Sequence, residues 1–304
     1  MNPLFTNTST GFKLFIFLFL VLFGALIGML SGLVGVVIIY QLPLDQVSMG
    51  LEGEFGLNIG RILQISGQIG LFILPPIAYA FLINKQPFQE LGYSSLKSVR
   101  VLLAGVAIMY FGLPLIHFLS ELNLQIKLSD SFSALESWML LKEEEAALLS
   151  ERFLSVDTVS GLLINLFMIA LLPALGEEMV FRGILQPLFV RLAKNVHLGI
   201  FIAALLFGVM HLQFYGLLPR VMLGLFLGYF YYYSGSLWVP VLMHFLNNGT
   251  AVAVYYLNHN GFIEIEMENF GAVQNQLYTI FSVFMVSGLL FYARTLYLKR
   301  ETKL

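Results

Sequence analysis

Apolar residues occupy most of the chain in long runs that short polar segments interrupt. A helix needs roughly 20 predominantly apolar residues to cross about 30 Å of hydrocarbon, and eight runs approach or reach that length. The pattern therefore predicts an all-α, polytopic membrane bundle of about eight transmembrane helices. The runs lie near residues 12–40, 61–84, 99–119, 159–177, 198–213, 217–233, 237–257 and 277–298.

Basic residues are divided unevenly between the two sides that these helices would create. With the N-terminus inside, the inner segments hold eleven of the 16 Lys and Arg residues, and the outer segments hold five. Cytoplasmic loops of membrane proteins carry an excess of Lys and Arg, so both termini are predicted to be cytoplasmic. The acidic stretch 262–269 falls outside in this arrangement. We expect a multi-pass protein of the plasma (inner) membrane.

The long outer loop, residues 121–158, repeats apolar residues at near-helical spacing around the charged run KEEE at 142–145. This spacing predicts an amphipathic helix lying on the membrane surface, and a solvated helical loop is the alternative. The apolar positions are Leu135, Trp138, Met139, Leu141, Leu148, Leu149 and Phe153.

Composition supports the membrane assignment and excludes several kinds of site. The chain is 58% hydrophobic and only 11% charged, whereas about a quarter of an ordinary soluble domain is charged. It has no cysteine, so disulfides, thiolate catalysis and cysteine zinc sites are excluded. The net charge is −2 and the basic residues are scattered, which argues against a nucleic-acid partner.

Common protease motifs are missing from the sequence. Aspartate occurs only at 45, 130 and 157, all in predicted outer loops, so no intramembrane aspartate pair exists. Neither the helical zinc motif HExxH nor the serine motif GxSxG occurs. Any catalysis must therefore use other polar residues.

The first remaining polar cluster is Glu177, Glu178 and Arg182, in the segment GEEMVFRG. Glu178 and Arg182 are four residues apart, so on a helix they share a face and can form a charge-assisted pair. Glu177 is rotated by about 100° from Glu178 on a helix of 3.6 residues per turn and lacks that partner. A free carboxylate suits a general base, whereas the Glu–Arg pair could equally be a structural clamp.

Two further clusters have the same four-residue spacing. Phe207 and His211 share one helix face, and so do His244 and Asn248. Each histidine taken alone could be an ordinary interhelical hydrogen-bonding residue. Ionisable groups at membrane depth are costly and suggest function, and here three clusters occur together. We expect them to converge between helices in a small polar chamber.

These motifs, EExxxR at 177–182, FxxxH at 207–211 and HxxxN at 244–248, resemble the CAAX-protease and bacteriocin-processing family of intramembrane proteases, also called the Abi family. The resemblance covers roughly residues 159–257. It implies an all-helical enzyme that cleaves peptide bonds within or beside the bilayer, in a peptide or protein substrate that can carry a lipid. Eukaryotic members act on prenylated proteins, and bacterial members are linked to peptide processing or bacteriocin immunity.

By position, the resemblance implies that Glu177 activates a water, with His211 assisting or binding a metal. His244 and Asn248 would stabilise the oxyanion, or His244 would complete a metal site with Glu177 and His211. The resemblance makes Glu178 and Arg182 the residues that hold the helix in register, with Phe207 as further structural support.

Two His and one Glu with water form an acceptable set for Zn²⁺ or another divalent metal. A metal-free glutamate mechanism is the other alternative, and Asn248 slightly favours it, because an amide is a good oxyanion donor.

The predicted spans and the resemblance together divide the chain into four parts, with helices 1–3 in 1–120, the outer loop in 121–158, the catalytic core that the resemblance implies in 159–257, and the last helix with a basic tail in 258–304. The predicted fourth span ends at Glu177, near the cytoplasmic side, whereas His211 lies nearer the outer side. Convergence therefore requires tilted or kinked spans, for which Pro173 and Pro240 are available. The alternative function is a non-catalytic scaffold or immunity protein that binds a partner with the same cluster.

Overall fold

The structure is a computed structural model that describes residues 4–265, 271–273 and 275–302. These residues form helices and connecting turns, with no strand among them. The all-α membrane bundle is thus confirmed. The predicted acidic stretch 262–269 lies partly outside the described residues.

We number ten main helices in chain order. They are α1 Thr10–Tyr40, α2 Gly56–Ile83, α3 Val99–Phe111, α4 Leu113–Leu124, α5 Ser133–Leu154, α6 Val159–Ala193, α7 Val196–Val209, α8 Leu217–Ser234, α9 Trp238–His259 and α10 Gln276–Glu301. Shorter helical turns are Leu44–Gln46, Val47–Glu52, Pro87–Glu90, Asp130–Phe132 and Phe214–Gly216.

Each of the eight predicted runs is largely helical, but the count of eight spans is not confirmed. The run 198–213 leaves the helix after Val209, so His211 lies in the following turn and not, as predicted, on one helix face with Phe207.

Within the described residues, five helices are long and apolar enough to cross a membrane, or six if α3 and α4, bent by 49°, form one span. Helix α7 has only 14 residues, which cover about 21 Å. Helix α9 is long enough but not apolar enough, because polar residues such as His244, Asn247 and Asn248 lie along it.

Helix α6 is longer than predicted, and this corrects the position of the two glutamates. The predicted span ended at Glu177, but the helix continues to Ala193 and has 35 residues. Glu177 therefore lies in the middle of α6 rather than at a span end. The helix can continue past the glutamates because residues 178–186 are buried and their polar side chains are bonded inside the bundle. The predicted depth of Glu177, near the cytoplasmic side, rests on a span end at that residue and does not follow for a helix that continues to Ala193.

Prolines explain three π-helical turns, in which the helix widens. The turn Ile69–Ile73 in α2 precedes Pro75, and the turns Leu166–Leu171 and Met179–Leu185 in α6 precede Pro173 and Pro187. Proline has no N–H to donate and its ring clashes with the carbonyl four residues earlier, so a regular α-helix cannot continue through it.

The second predicted kink residue, Pro240, behaves differently. It is the third residue of α9, in the first turn, where a backbone N–H would have no partner within the helix. Pro240 thus begins a helix rather than kinking one.

Glycines allow α1 to pack closely on α2, as the four-residue spacing of Gly24, Gly28 and Gly32 predicts. All three are buried. A Cβ added at Gly28 would lie 2.5 Å from the carbonyl oxygen of Ser66 and 2.9 Å from Cα of Gly70. Backbone atoms cannot move aside as a flexible side chain can, so this contact requires glycine.

The loop helix α5 is confirmed as a helix, and its position on the membrane surface stays a prediction. Its predicted apolar residues remain largely exposed, except for Phe153, which is buried. Asn165 of α6 donates a hydrogen bond to the carbonyl oxygen of Phe153 at 2.7 Å. The C-terminal end of α5 is therefore anchored to the bundle.

We predict that Gly28→Ala destabilises the protein by about 1–3 kcal/mol, the usual cost of overpacking, because its Cβ meets backbone of α2. Gly35→Ala on the same helix is the matched control, since a Cβ there would approach only a side-chain atom, at 3.7 Å. Thermal unfolding of the detergent-solubilised chain measures both variants. Equal melting temperatures for the two variants would contradict the packing argument.

Candidate active site

A buried carboxylate links α6 to α9 at the centre of the site. Oε1 of Glu178 accepts hydrogen bonds from Nη1 of Arg182 at 2.7 Å and from Nδ1 of His244 at 2.8 Å. The three residues are 0%, 1% and 2% exposed. The predicted pairing of Glu178 with Arg182 is confirmed, and its bond to His244 is new. One carboxylate oxygen thus fixes both a guanidinium and an imidazole.

The same face of α6 is bonded to the backbone of α8. Nη2 of Arg182 donates to the carbonyl oxygen of Gly224, and Nε2 of Gln186 donates to that of Gly228, each at 3.1 Å. A Cβ at Gly228 would lie 2.9 Å from Oε1 of Gln186, so the glycine makes room for this side chain. Arg182 and Gln186 therefore set the distance between the two helices.

Phe207 of α7 contacts both the arginine and the histidine of this network. Its ring lies 4.7 Å from the Arg182 guanidinium, in cation–π contact, and 5.3 Å from the ring of Phe181. The imidazoles of His211 and His244 lie 5.0 and 5.8 Å from the same ring. Phe207 is 1% exposed and separates the two histidines.

The bond between His244 and Glu178 determines which way the imidazole faces. A carboxylate accepts, so Nδ1 of His244 carries the proton, and Nε2 points to the other side of the ring. There Nε2 lies 3.3 Å from Nδ2 of Asn248 and 4.0 Å from Oε2 of Glu177. The Glu177 side chain is 13% exposed, and its Oε2 has no hydrogen-bond partner among the described residues.

A gap separates the carboxylate of Glu177 from the imidazole of His244. A separation of 4.0 Å is too long for a direct hydrogen bond, yet one water molecule could contact both atoms. Glu177 is therefore the free carboxylate that its position in the helix predicts.

Asn248 stabilises the break that Pro173 makes in α6. Its Nδ2 donates to the carbonyl oxygen of Ile169 at 3.0 Å. Ile169 is four residues before Pro173, so its carbonyl is the one that the proline cannot bond. Oδ1 of Asn248 accepts a hydrogen bond from Asn247 at 3.1 Å. The asparagine thus holds α6 and α9 together beside Glu177.

His211 lies at the edge of this group. Its Nδ1 is 2.7 Å from the carbonyl oxygen of Phe207, a free carbonyl at the C-terminal end of α7. The ring is exposed and forms no hydrogen bond with Glu177 or His244 in the described structure. The structure thus brings Glu177, Glu178, His244 and Asn248 into contact, and it connects His211 to them through Phe207.

The expected metal set does not assemble in this geometry. Within the described part of the chain, no three His, Asp or Glu side chains are arranged to hold a metal ion, and this includes Glu177, His211 and His244. Nδ1 of His244 is bonded to Glu178, which leaves only Nε2 for other ligands. The residues do not fit a three-ligand zinc site as they are placed here.

A polar clamp that the sequence did not reveal holds the turn after His211. Glu143 of α5 accepts hydrogen bonds from Nε2 of Gln213 and from the backbone N–H of Tyr215, both at 3.3 Å. Arg220 of α8 donates to the backbone carbonyl of Gln213 at 3.1 Å and to its side-chain oxygen at 2.5 Å. Leu212, within this turn, has a positive φ of 54°, which is strained for a side-chain residue.

Asn123 of α4 completes the clamp from another direction. Its side chain donates to the carbonyl oxygen of Phe214 at 2.9 Å and accepts from the N–H of Leu218 at 2.7 Å. The contacts of Glu143 and Asn123 join residues 70 to 95 positions apart, so no local pattern could have identified them. The turn carrying His211 is thus held by two helices outside the region of motifs.

We predict that Glu143→Ala loosens this turn and makes the backbone N–H of Tyr215, which Glu143 binds, exchange with deuterium about five-fold faster, since a lost hydrogen bond costs about 1 kcal/mol. Mass spectrometry of the deuterated chain measures the rate. The control is Glu144→Ala, which removes the same charge from the next, exposed position. Similar rates in the two variants would show that Glu143 does not hold this turn.

Comparisons with known proteins agree with the motifs. Residues 159–250 match the model of a family described as Rce1-like, type II CAAX prenyl endopeptidase Rce1-like. The uncharacterised protein YpbD of Bacillus subtilis (strain 168) is 30% identical over 86 residues, which make up 27% of this chain and 41% of YpbD. The chain thus aligns with less than half of that relative's length. No solved structure matches.

The resemblance expected from the three motifs is confirmed over this segment. It runs from the first turn of α6 into α9 and contains all seven predicted site residues.

Proposed function

We propose that the chain is an intramembrane endopeptidase in which Glu177 activates the attacking water. The observation that carries this proposal is the unpaired carboxylate of Glu177, 4.0 Å from an imidazole that Glu178 holds by its other nitrogen. Buried carboxylates are normally paired, and a free one beside an oriented histidine is typical of a site for proton transfer.

In the proposed reaction, a water between Glu177 and His244 attacks the carbonyl carbon of the substrate peptide bond. Glu177 takes a proton from this water, and the proton passes to the amine as the C–N bond breaks.

We propose His244 and Asn248 as oxyanion donors, and one such donor is typically worth about 2.7–4 kcal/mol. Because Glu178 holds the proton on Nδ1 of His244, Nε2 donates only after it takes up a second proton, and the Asn248 N–H that faces Nε2 then turns to the oxyanion. We propose a supporting role for His211, which is connected to His244 through the ring of Phe207.

The substrate we propose is a peptide or protein that lies in or against the bilayer and can carry a lipid. Support comes from the apolar helices, which make the chain an integral membrane protein, and from the name of the matched family, a prenyl endopeptidase. We further propose a plasma-membrane location with both termini in the cytoplasm, on the distribution of Lys and Arg.

We predict that Glu177→Gln lowers the cleavage rate of a membrane reporter peptide at least about 100-fold, because the amide cannot accept the water's proton. The melting temperature should stay close to wild type, since Oε2 of Glu177 has no hydrogen-bond partner to lose. Glu178→Gln is the contrasting variant and should lower stability by about 3–5 kcal/mol, because it leaves Arg182 buried without its counter-charge.

Purified protein in proteoliposomes, assayed by mass spectrometry of the products, measures the cleavage rates. If Glu177→Gln cleaves the reporter peptide at the wild-type rate, the general-base role is disproved. If neither wild type nor Glu177→Gln cleaves the reporter peptide, but cells that express either protein show the same phenotype, the scaffold or immunity function is favoured instead.

The metal-dependent alternative predicts a different result. If Glu177, His211 and His244 move together to bind Zn²⁺ or another divalent metal, the purified chain should contain close to one metal ion per molecule, and His211→Ala should lose it. For the glutamate mechanism we expect substoichiometric metal and cleavage that survives a chelator. Elemental analysis of wild type and His211→Ala distinguishes the two.

A further inference from the structure

A pocket of about 660 Å³ lies at the end of the bundle where α1 begins and where α2 and α6 end. Its volume falls within the range of roughly 300–1,000 Å³ that is usual for ligand pockets. Three cationic side chains line it, and each comes from a different segment: Lys13 from the first turn of α1, Lys85 from the segment after α2, and Arg191 from the last turns of α6. All three helices are long and apolar enough to cross a membrane, so we expect their ends at the level of the lipid headgroups.

The N-terminal segment forms one wall of this pocket by bonding the end of α2. The last four carbonyls of a helix have no partner within that helix. Here the backbone N–H of Phe5 donates to the carbonyl oxygen of Leu82 at 3.1 Å, and Oγ1 of Thr6 donates to that of Ile83 at 3.3 Å. Nζ of Lys13 donates in turn to the carbonyl oxygen of Thr6 at 3.0 Å. The segment is thus fixed between α1 and α2 and holds Lys13 at the pocket.

The cations of the pocket outnumber its carboxylates and are not paired with them. Among the described residues that line it, Glu90 is the one acidic residue. Oε2 of Glu90 accepts a hydrogen bond at 2.7 Å from Nδ2 of Asn84, which is a neutral donor. Within the described part of the chain, Lys13, Lys85 and Arg191 form no ion pair. Three cations and one carboxylate leave a net formal charge of +2, which attracts an anion.

The surroundings of the pocket favour a lipid as the source of this anion. Lys85 and Arg191 are exposed, so both can reach a ligand that enters from the membrane interface. Phe81 and Phe88, which flank Lys85 in sequence, are 58% and 62% exposed. Acyl chains packed on these rings would remove them from water. Basic pockets between transmembrane helices are typical sites for phosphate-bearing headgroups.

We infer that this pocket binds the phosphate headgroup of an anionic membrane lipid, with Lys85 and Arg191 as its main contacts and Lys13 beside them. The site is separate from the proposed peptidase chemistry, because the residues of the candidate active site do not line it. The distribution of Lys and Arg predicts that this end of the bundle faces the cytoplasmic leaflet, where anionic lipids are common. A bound headgroup would connect α1 and α2 to α6, the helix that carries Glu177.

Native mass spectrometry of the purified, delipidated chain in detergent tests the site without an activity assay. The probe is dioleoylphosphatidylglycerol, and the comparison lipid is dioleoylphosphatidylcholine, which has the same acyl chains and no net charge. We expect the first anionic lipid to bind at least about ten-fold more tightly than the zwitterionic one, because only the former brings a net negative charge to the cations. Equal affinity for the two lipids would overturn the inference.

A matched pair of double substitutions assigns the binding to this pocket. Lys85→Gln with Arg191→Gln should weaken binding of the anionic lipid about 30-fold, corresponding to about 2 kcal/mol, or about 1 kcal/mol for each charge removed. Lys97→Gln with Arg100→Gln is the control, since it also removes one Lys and one Arg, both exposed, outside the pocket and predicted to lie on the same side of the membrane. The control should bind the lipid as wild type does. Thermal unfolding of both double variants checks that they are folded, since all four side chains are exposed.

The remaining outcomes identify the ligand. If both double variants lose affinity equally, the attraction is a general effect of positive charge at this face of the membrane, and the pocket is not a site. Glycerol phosphate, which is the headgroup chemistry without acyl chains, tests the source of the phosphate. If it does not displace the bound lipid at equal concentration, the lipid assignment is supported, and if it does, the ligand is a soluble phosphate compound and the lipid assignment fails. These results do not depend on cleavage, so failure of the proposed endopeptidase function would leave them unchanged.

Discussion

The whole arrangement depends on one carboxylate, Glu178, that is buried in the middle of an apolar bundle. An isolated charge there would cost several kcal/mol, so Glu178 needs opposite charge and hydrogen bonds close at hand. Arg182 supplies both from the next turn of α6, and His244 adds a second donor from α9. Arg182 is held in turn by the carbonyl of Gly224 and by the ring of Phe207. The contacts of Glu178 and Arg182 thus join four helices, α6, α7, α8 and α9.

The π-helical turns of α6 are part of the same site. Pro173 widens the helix and frees the carbonyl of Ile169, and Asn248 reaches across from α9 to bond it. An unbonded carbonyl at membrane depth would be costly, so the break in α6 attracts a polar side chain from its neighbour. That side chain also contacts His244. The proline therefore contributes to the site indirectly, by giving Asn248 a fixed partner next to the imidazole.

Sequence reasoning succeeded where partners lie on one helix and failed where they lie on two. Glu178 and Arg182 could be paired from their spacing alone, and the same spacing left Glu177 free. The bond from His244 to Glu178 spans 66 residues and depends on how α9 is rotated, which periodicity does not determine. Adjacent charges usually mark the end of a span, so the pattern predicts an end at Glu177. Here Glu178 is bonded to Arg182 and His244 inside the bundle, and the helix continues to Ala193.

The pairing also explains why two adjacent glutamates occur where one would already be costly. If Glu178 did not bond Arg182 and His244, both of these residues would be free to pair with Glu177, the adjacent carboxylate. Because Glu178 engages both, His244 presents only Nε2 toward Glu177, and it does so across a gap of 4.0 Å. A direct hydrogen bond there would close the space and neutralise the base. The structural glutamate thus keeps its neighbour unpaired, and a site that must hold a water between a base and an imidazole needs that separation.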